Sequence, residues 1–148
     1  MDTPEARHEG NVARWASRDE AERSLGLLAL GLAAAYFITL FLPWVTGSIS
    51  GWSIRPGEEV GLLALAVVLV ELLRLMGLWT TQGADLLGFC LTAAAGVMGV
   101  TAWAVLEWAS GSIGINGFVY GFWVAFVVAL LLVAVAALRL AVLRRSAP

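Results

Sequence analysis

Trp44-Val45-Thr46-Gly47-Ser48-Ile49 and Trp108-Ala109-Ser110-Gly111-Ser112-Ile113 are two versions of one six-residue pattern, placed 64 residues apart. Each version lies between two apolar stretches of about 20 residues, the length with which an α-helix crosses roughly 30 Å of hydrocarbon. The four apolar stretches are 25–44, 60–79, 86–106 and 118–138. The sequence therefore predicts an all-α integral membrane fold with four transmembrane helices, arranged as two tandem helical hairpins.

The composition supports lipid as the main solvent. Of 148 residues, 60% are hydrophobic and 14% are charged, whereas soluble domains are about 45–50% apolar and about 25% charged. A soluble domain of this length could not bury so much apolar surface. The net charge of −2 makes a nucleic-acid partner unexpected, because such proteins carry a basic surface.

The polar segments divide the chain into three parts. Residues 1–24 form a polar arm, 25–143 the transmembrane domain and 144–148 a short tail. We expect a helix in the arm from about Asn11, either lying along the membrane surface or continuing in solvent into the first span. Cytoplasmic termini would place eight of the nine arginines inside and only Arg55 outside. The positive-inside rule therefore predicts a multi-pass plasma-membrane (inner-membrane) protein with both termini in the cytoplasm.

Two further landmarks recur in order along the two halves. Gly51-Trp52 corresponds to Gly117-Phe118, and Leu73-Arg74-Leu75 corresponds to Leu138-Arg139-Leu140. An internal duplication of this kind predicts a parallel repeat, whose symmetry axis runs along the membrane normal. The alternative is convergence of two unrelated hairpins on the same outer-turn chemistry.

Four aromatic residues fall at the predicted outer face: Trp44, Trp52, Trp108 and Phe118. Amphipathic rings are favoured at the membrane–water interface, so we expect the tryptophans to act as interfacial anchors. An outer aromatic cap that binds lipid or another apolar ligand is the alternative interpretation.

Glycines spaced four apart open two of the predicted spans: Gly57 and Gly61 in the second, Gly117 and Gly121 in the fourth. Such pairs clear one helix face and allow close helix packing. The packing could be within the chain or against a second copy or another membrane protein.

Ionisable residues in membrane segments are the first candidates for function. Glu71, Arg74 and Arg139 are predicted near the inner interface, and Glu107 lies beside Trp108 at the outer end of the third span. Asp85 is explained by the favourable dipole at a helix N-terminus. None of these falls at the centre of a span, where a proton-coupled transporter would need one.

Sequence motifs for catalysis and metal binding are missing. With one histidine, His8, and one cysteine, Cys90, the chain cannot assemble a His/Cys zinc site. No nucleophile–base pair, phosphate loop or dinucleotide fingerprint is recognisable. We therefore expect no enzyme activity, no catalytic residue, no metal and no cofactor.

Leu42-Pro43-Trp44 followed by Ser50-Gly51-Trp52, together with Arg14–Asp19 before the first span, resembles a pattern in small four-span membrane proteins of actinobacteria and related lineages. Those proteins are generally of unknown function. The resemblance covers about residues 14–75 and implies the four-span fold, without implying any catalytic or binding residue.

The sequence thus favours a non-enzymatic structural or accessory protein that contacts membrane lipid and packs with itself or with a larger membrane complex. A small oligomeric transporter or channel is the alternative, and ligand binding at the outer aromatic cap is the third.

Overall fold

The computed structural model of the chain describes residues 4–45, 48–79, 82–113 and 117–144. The helices and strands run as follows: α1 Pro4–Thr39, β1 Pro43–Val45, β2 Ile49–Ser50, a 3-10 turn Gly51–Ser53, α2 Arg55–Leu75, α3 Gln82–Ile113 and α4 Tyr120–Arg144. The predicted helical class is confirmed, with one short antiparallel β-hairpin added between α1 and α2.

Three segments are long and apolar enough to cross a membrane: Glu20–Thr39, Gly83–Ala109 and Tyr120–Arg144. This confirms the membrane-type composition for three of the four predicted spans. The remaining helix, α2, has 21 residues, which is about 31 Å at 1.5 Å per residue. It carries charges at both ends: Arg55, Glu58, Glu59, Glu71 and Arg74.

Each helix packs against two neighbours. α1 contacts α2 and α4, and α3 contacts the same two helices from the other side. The least exposed residues at these contacts include one or two alanines from each helix: Ala29, Ala33, Ala64, Ala95 and Ala129. Small side chains let helices approach closely where there is no hydrophobic drive between them. We call the end where α2 stops and α3 starts the arm end, and the opposite one the hairpin end.

The boundary predicted at residues 24 and 25 has no structural counterpart. α1 is one helix of 36 residues, about 54 Å long, and it continues from the arm into the apolar stretch. This geometry favours the arm that leads straight into the first span over an arm that lies along the membrane surface.

The first apolar stretch ends as a helix at Thr39, not at Trp44 as predicted. Proline disfavours the α conformation in the residue before it, and here Pro43 begins β1. Pro56 has the opposite effect in α2, where it occupies the first helical turn and its missing N–H costs little.

The second six-residue pattern is not a turn. α3 continues through Trp108–Ile113, beyond residue 106, where the third apolar stretch was predicted to end. In the first pattern, Trp44 and Val45 belong to β1 and Ile49 to β2, while Thr46 and Gly47 lie outside the described residues. The two versions therefore have different backbones, and the symmetric pair of turns predicted from them is wrong.

Three of the four predicted packing glycines contact the chain itself. A Cβ on Gly57 would meet the carbonyl oxygen of Gly51, and one on Gly121 would lie 2.5 Å from that of Pro43. Gly61 faces Leu40. Gly117 lies before α4 with a positive φ of 111°, so its predicted role in a helical glycine pair is wrong.

Candidate functional site: a buried ion network

The most buried charged side chain of α2 is Glu71, which is 0% exposed. Its Oε2 accepts a hydrogen bond of 2.5 Å from Arg74 Nη1. Its Oε1 accepts one of 2.5 Å from Arg139 Nη1 on α4. Arg139 is also 0% exposed. Two charge-assisted hydrogen bonds, one to each carboxylate oxygen, compensate much of the cost of removing these charges from water.

Two glycines make room for this carboxylate. A Cβ on Gly26 of α1 would lie 2.8 Å from Glu71 Oε2, and one on Gly88 of α3 would lie 2.6 Å from Glu71 Oε1. The same Cβ on Gly88 would lie 3.2 Å from Arg139 Nη2. The backbones of α1 and α3 therefore close over Glu71 from two sides because neither position carries a side chain.

Two more acids extend the network to all four helices. Arg74 Nη2 donates to Oδ1 of Asp85, in the first turn of α3. Glu22 of α1 is 6% exposed, with its Oε2 3.4 Å from Arg139 Nε and 3.8 Å from Arg74 Nη2. We call Glu22, Glu71, Arg74, Asp85 and Arg139 the ion network; it joins the four helices at the arm end.

Hydrogen bonding within the ion network is incomplete. Both carboxylate oxygens of Glu22, and Nε and Nη2 of Arg139, are buried without a hydrogen-bond partner among the described residues. The contacts of Glu22 to the arginines are therefore ion pairs at longer range, whereas Glu71 is hydrogen-bonded at both oxygens. Buried polar atoms without a partner are costly and rare in native proteins.

The structure brings together three of the four polar residues singled out from the sequence: Glu71, Arg74 and Arg139. The fourth, Glu107, lies 22 residues after Asp85 on the same helix, about 33 Å away along its axis. Glu107 is exposed and belongs to the hairpin end. Glu107 therefore lies at the end of α3 predicted for it, opposite the end at which the other three candidates meet.

The sequence analysis did not identify Glu22 as a candidate site residue, and it did not predict that Asp85 pairs with Arg74. Glu22 was assigned to the polar arm, and Asp85 was explained by the helix dipole alone. The available signal was Arg74, which is three residues after Glu71 and separated from Asp85 only by a short connection. An arginine side chain at position 74 is long enough to contact both Glu71 and Asp85.

An apolar layer separates the ion network from the hairpin end. Tyr36, Val67, Ala95 and Leu132, one residue from each helix, are at most 1% exposed. These four side chains are enclosed between the helices.

At the hairpin end, Trp44 is a core residue with 2% exposure, so its predicted role as an interfacial anchor is wrong. Its indole Nε1 donates a 2.8 Å hydrogen bond to the carbonyl of Thr39 at the end of α1, which also accepts a 3.1 Å bond from the Leu42 N–H. The ring covers Gly51 and meets Phe122 edge to face at 5.8 Å.

The four residues of the predicted aromatic cap fall into separate places. Phe118 stacks on Phe122 at 3.8 Å and so joins Trp44 through that ring. Trp52 stacks instead on Phe41 at 5.9 Å. Trp108 lies on α3 with 78% exposure. The single cap expected from sequence is therefore two ring groups and one exposed tryptophan.

A small pocket does lie among the rings of the hairpin end. Its lining includes Tyr36, Trp44, Trp103, Phe122 and Phe126. Of the predicted cap, only Trp44 contributes. Trp103 Nε1 is buried and has no hydrogen-bond partner among the described residues.

Among the described residues, no group of three or more His, Cys, Asp or Glu side chains has an arrangement suited to a metal ion. Comparison of the chain with protein-family models, curated protein sequences and solved structures gives no match.

Proposed function

We propose that the chain is a non-enzymatic, multi-pass protein of the plasma membrane, folded as a four-helix bundle, with a structural or accessory role. It would pack with itself or with a larger membrane complex. The observation that carries this proposal is the double pairing of Glu71 with Arg74 and Arg139 at 2.5 Å each.

A solute-coupling site needs ionisable groups that can exchange partners during the cycle. Glu71 and Arg139 are fully enclosed and bonded to each other across two helices. Their arrangement suits a fixed connection between helices better than a transport path, which is why we place the oligomeric transporter or channel second.

Pairing within the ion network also makes α2 a reasonable fourth span. Glu71 and Arg74 would be costly in lipid as separate charges. Glu71 is buried against two arginines and Arg74 is 12% exposed between two acids, so both charges face the protein and not the lipid. The other charges of α2 lie in its first turns.

Large apolar side chains remain on the outside of the bundle. Val97 and Val105 of α3, with Val127 and Leu138 of α4, are 50–55% exposed. Leu27 and Ile38 of α1 and Leu62 and Leu69 of α2 are 52–63% exposed. Apolar faces of all four helices are therefore available for lipid or for a neighbouring membrane protein.

Eight of the nine arginines lie on the side of the termini, which supports a topology with the arm end in the cytoplasm. We would replace Cys90 by alanine and then test Glu9→Cys and Ser53→Cys with a membrane-impermeant maleimide. We expect labelling of the Ser53 variant in intact cells and of the Glu9 variant only after permeabilisation. The reverse pattern would overturn the topology.

The accessory role is tested by chemical crosslinking in native membranes, followed by native mass spectrometry of the protein released in mild detergent. A stoichiometric homo-oligomer or a co-purifying membrane protein is expected. A monomer with no partner at native expression levels would refute the role.

A further inference from the structure

The ion network contains one more acid than base. Among the side chains that the structure describes there, Glu22, Glu71 and Asp85 face Arg74 and Arg139, so full ionisation of these five leaves one excess negative charge in a largely buried cluster. An uncompensated charge in a medium of low dielectric constant is strongly unfavourable and is relieved by binding a counter-charge or a proton.

The excess charge falls on Glu22. Glu71 accepts two hydrogen bonds of 2.5 Å, and Asp85 accepts one from Arg74 while its side chain is 36% exposed. Among the described side chains, Glu22 has ion-pair contacts of 3.4 and 3.8 Å, its side chain is 8% exposed, and neither carboxylate oxygen accepts a hydrogen bond.

The charged groups around Glu22 come from every neighbouring helix. Arg74 and Glu71 lie on α2, Asp85 on α3 and Arg139 on α4. Both arginines attract Glu22 at longer range while they donate closer hydrogen bonds to Glu71. Asp85 adds a negative charge that acts against the Glu22 carboxylate.

We propose that the ion network is a binding site for one proton, and that the Glu22 carboxylate takes it. The step is the transfer of a proton from a hydronium ion to one Glu22 oxygen, which forms an O–H bond and releases water. The network then holds two negative and two positive charges. The partly exposed Asp85 and Arg74 place the site next to the arm-end boundary, from which the proton is exchanged.

This inference goes beyond the structural role proposed above, because it assigns the network a ligand. It is tested on the full-length protein in liposomes by infrared spectroscopy. We expect a C=O stretching band of one protonated carboxylic acid per chain at neutral pH, lost at alkaline pH. Glu22→Gln removes this band, and Glu20→Gln, an exposed acid two residues earlier, retains it.

A second variant separates the proton site from a folding defect. Asp85→Asn removes one negative charge, so the same band should persist but disappear at a lower pH than in the wild type. No such band in the wild type, or a band that survives Glu22→Gln, would overturn the proposal.

Thermal stability in detergent gives an independent readout. A proton held in the folded protein but lost on unfolding stabilises the fold as pH falls. The melting temperature of the wild type should therefore decrease from mildly acidic to alkaline pH, and Glu22→Gln should abolish most of that decrease. A melting temperature that instead follows the sodium or potassium concentration at fixed pH would show that a metal cation occupies the site, and would overturn the proposal.

Discussion

The two ends of the molecule are stabilised by different interactions: ion pairs at the arm end and close packing at the hairpin end. At the arm end, four helices meet through charged side chains, and Glu71 joins α2 to α4 by a hydrogen bond between residues 68 positions apart. At the hairpin end, contacts depend on shape: Gly57 touches the backbone of Gly51, and Trp44 fills the space beside it. Removing a charge at one end should therefore cost much more than trimming a ring at the other.

The largest effect should come from Arg139→Met. The substitution leaves Glu71 with one partner and Glu22 with its longer contact to Arg74 only. Loss of one member of a buried ion pair costs about 3–5 kcal/mol of unfolding free energy. Unfolding in mixed detergent micelles, followed by circular dichroism, measures the change.

The matched control for that substitution is Arg144→Met, because Arg144 is exposed in the last turn of the same helix. Exposed substitutions usually change stability by less than about 0.5 kcal/mol. Equal effects of the two variants would show that the arm end does not depend on its ion pairs.

Gly57→Ala should have the next largest effect, at the hairpin end. The added methyl group would meet the backbone carbonyl of Gly51, and overpacking of this kind costs about 1–3 kcal/mol. Gly31→Ala, where nothing lies within 4 Å of the added Cβ, should be neutral or slightly stabilising because alanine favours helix more than glycine does. Stability measured in the same micelles compares the two, and a harmless Gly57→Ala would contradict the close approach.

Trp44→Phe keeps an aromatic ring and removes the indole N–H that binds the Thr39 carbonyl. We expect a loss of about 1–2 kcal/mol from the hydrogen bond and the smaller ring. Trp123→Phe is the comparison, since Trp123 is 47% exposed and should change stability by less than half as much in thermal unfolding. The opposite order would place Trp44 at the surface.

The smallest effect should be a gain from Ser48→Gly. Ser48 has a positive φ of 65°, a conformation that costs a residue with a Cβ more than it costs glycine. Because glycine also gives the unfolded chain more freedom, the net stabilisation should be about 0.5 kcal/mol. A small rise in melting temperature would support this backbone conformation, and a fall would contradict it.

The overall class was accessible from the sequence because apolar length is a direct physical requirement of a membrane span. Three of the four predicted stretches meet it in the structure. Arg74 and Arg139, recognised as corresponding landmarks of the two halves, reach the same acid, Glu71.

The two six-residue patterns show that a short pattern does not predict the backbone conformation where neighbouring residues determine it. Pro43 stands directly before Trp44, and β-branched Val45 follows it, so the chain continues as a strand. Ala109 replaces Val45 in the second version and no proline precedes Trp108, so α3 continues through it. Shared Trp, Gly, Ser and Ile were not enough to fix the backbone.

The ion network was only partly predictable because its members lie far apart in sequence. Glu22 belongs to a stretch rich in charge, where nothing local distinguishes it from Glu20. What buries it is the passage of α1 beside α2 and α4, a tertiary contact. Gly26 and Gly88 were informative only once Glu71 was known to lie against them.

The central claim is that Glu71 and Arg139 stabilise the bundle by acting on each other. A double-mutant cycle with Glu71→Gln, Arg139→Gln and the combined variant measures that interaction as unfolding free energies. We predict that the double variant is more stable than the sum of the single losses implies, by about 1.5–3 kcal/mol. Losses that add to within about 0.5 kcal/mol would contradict the account.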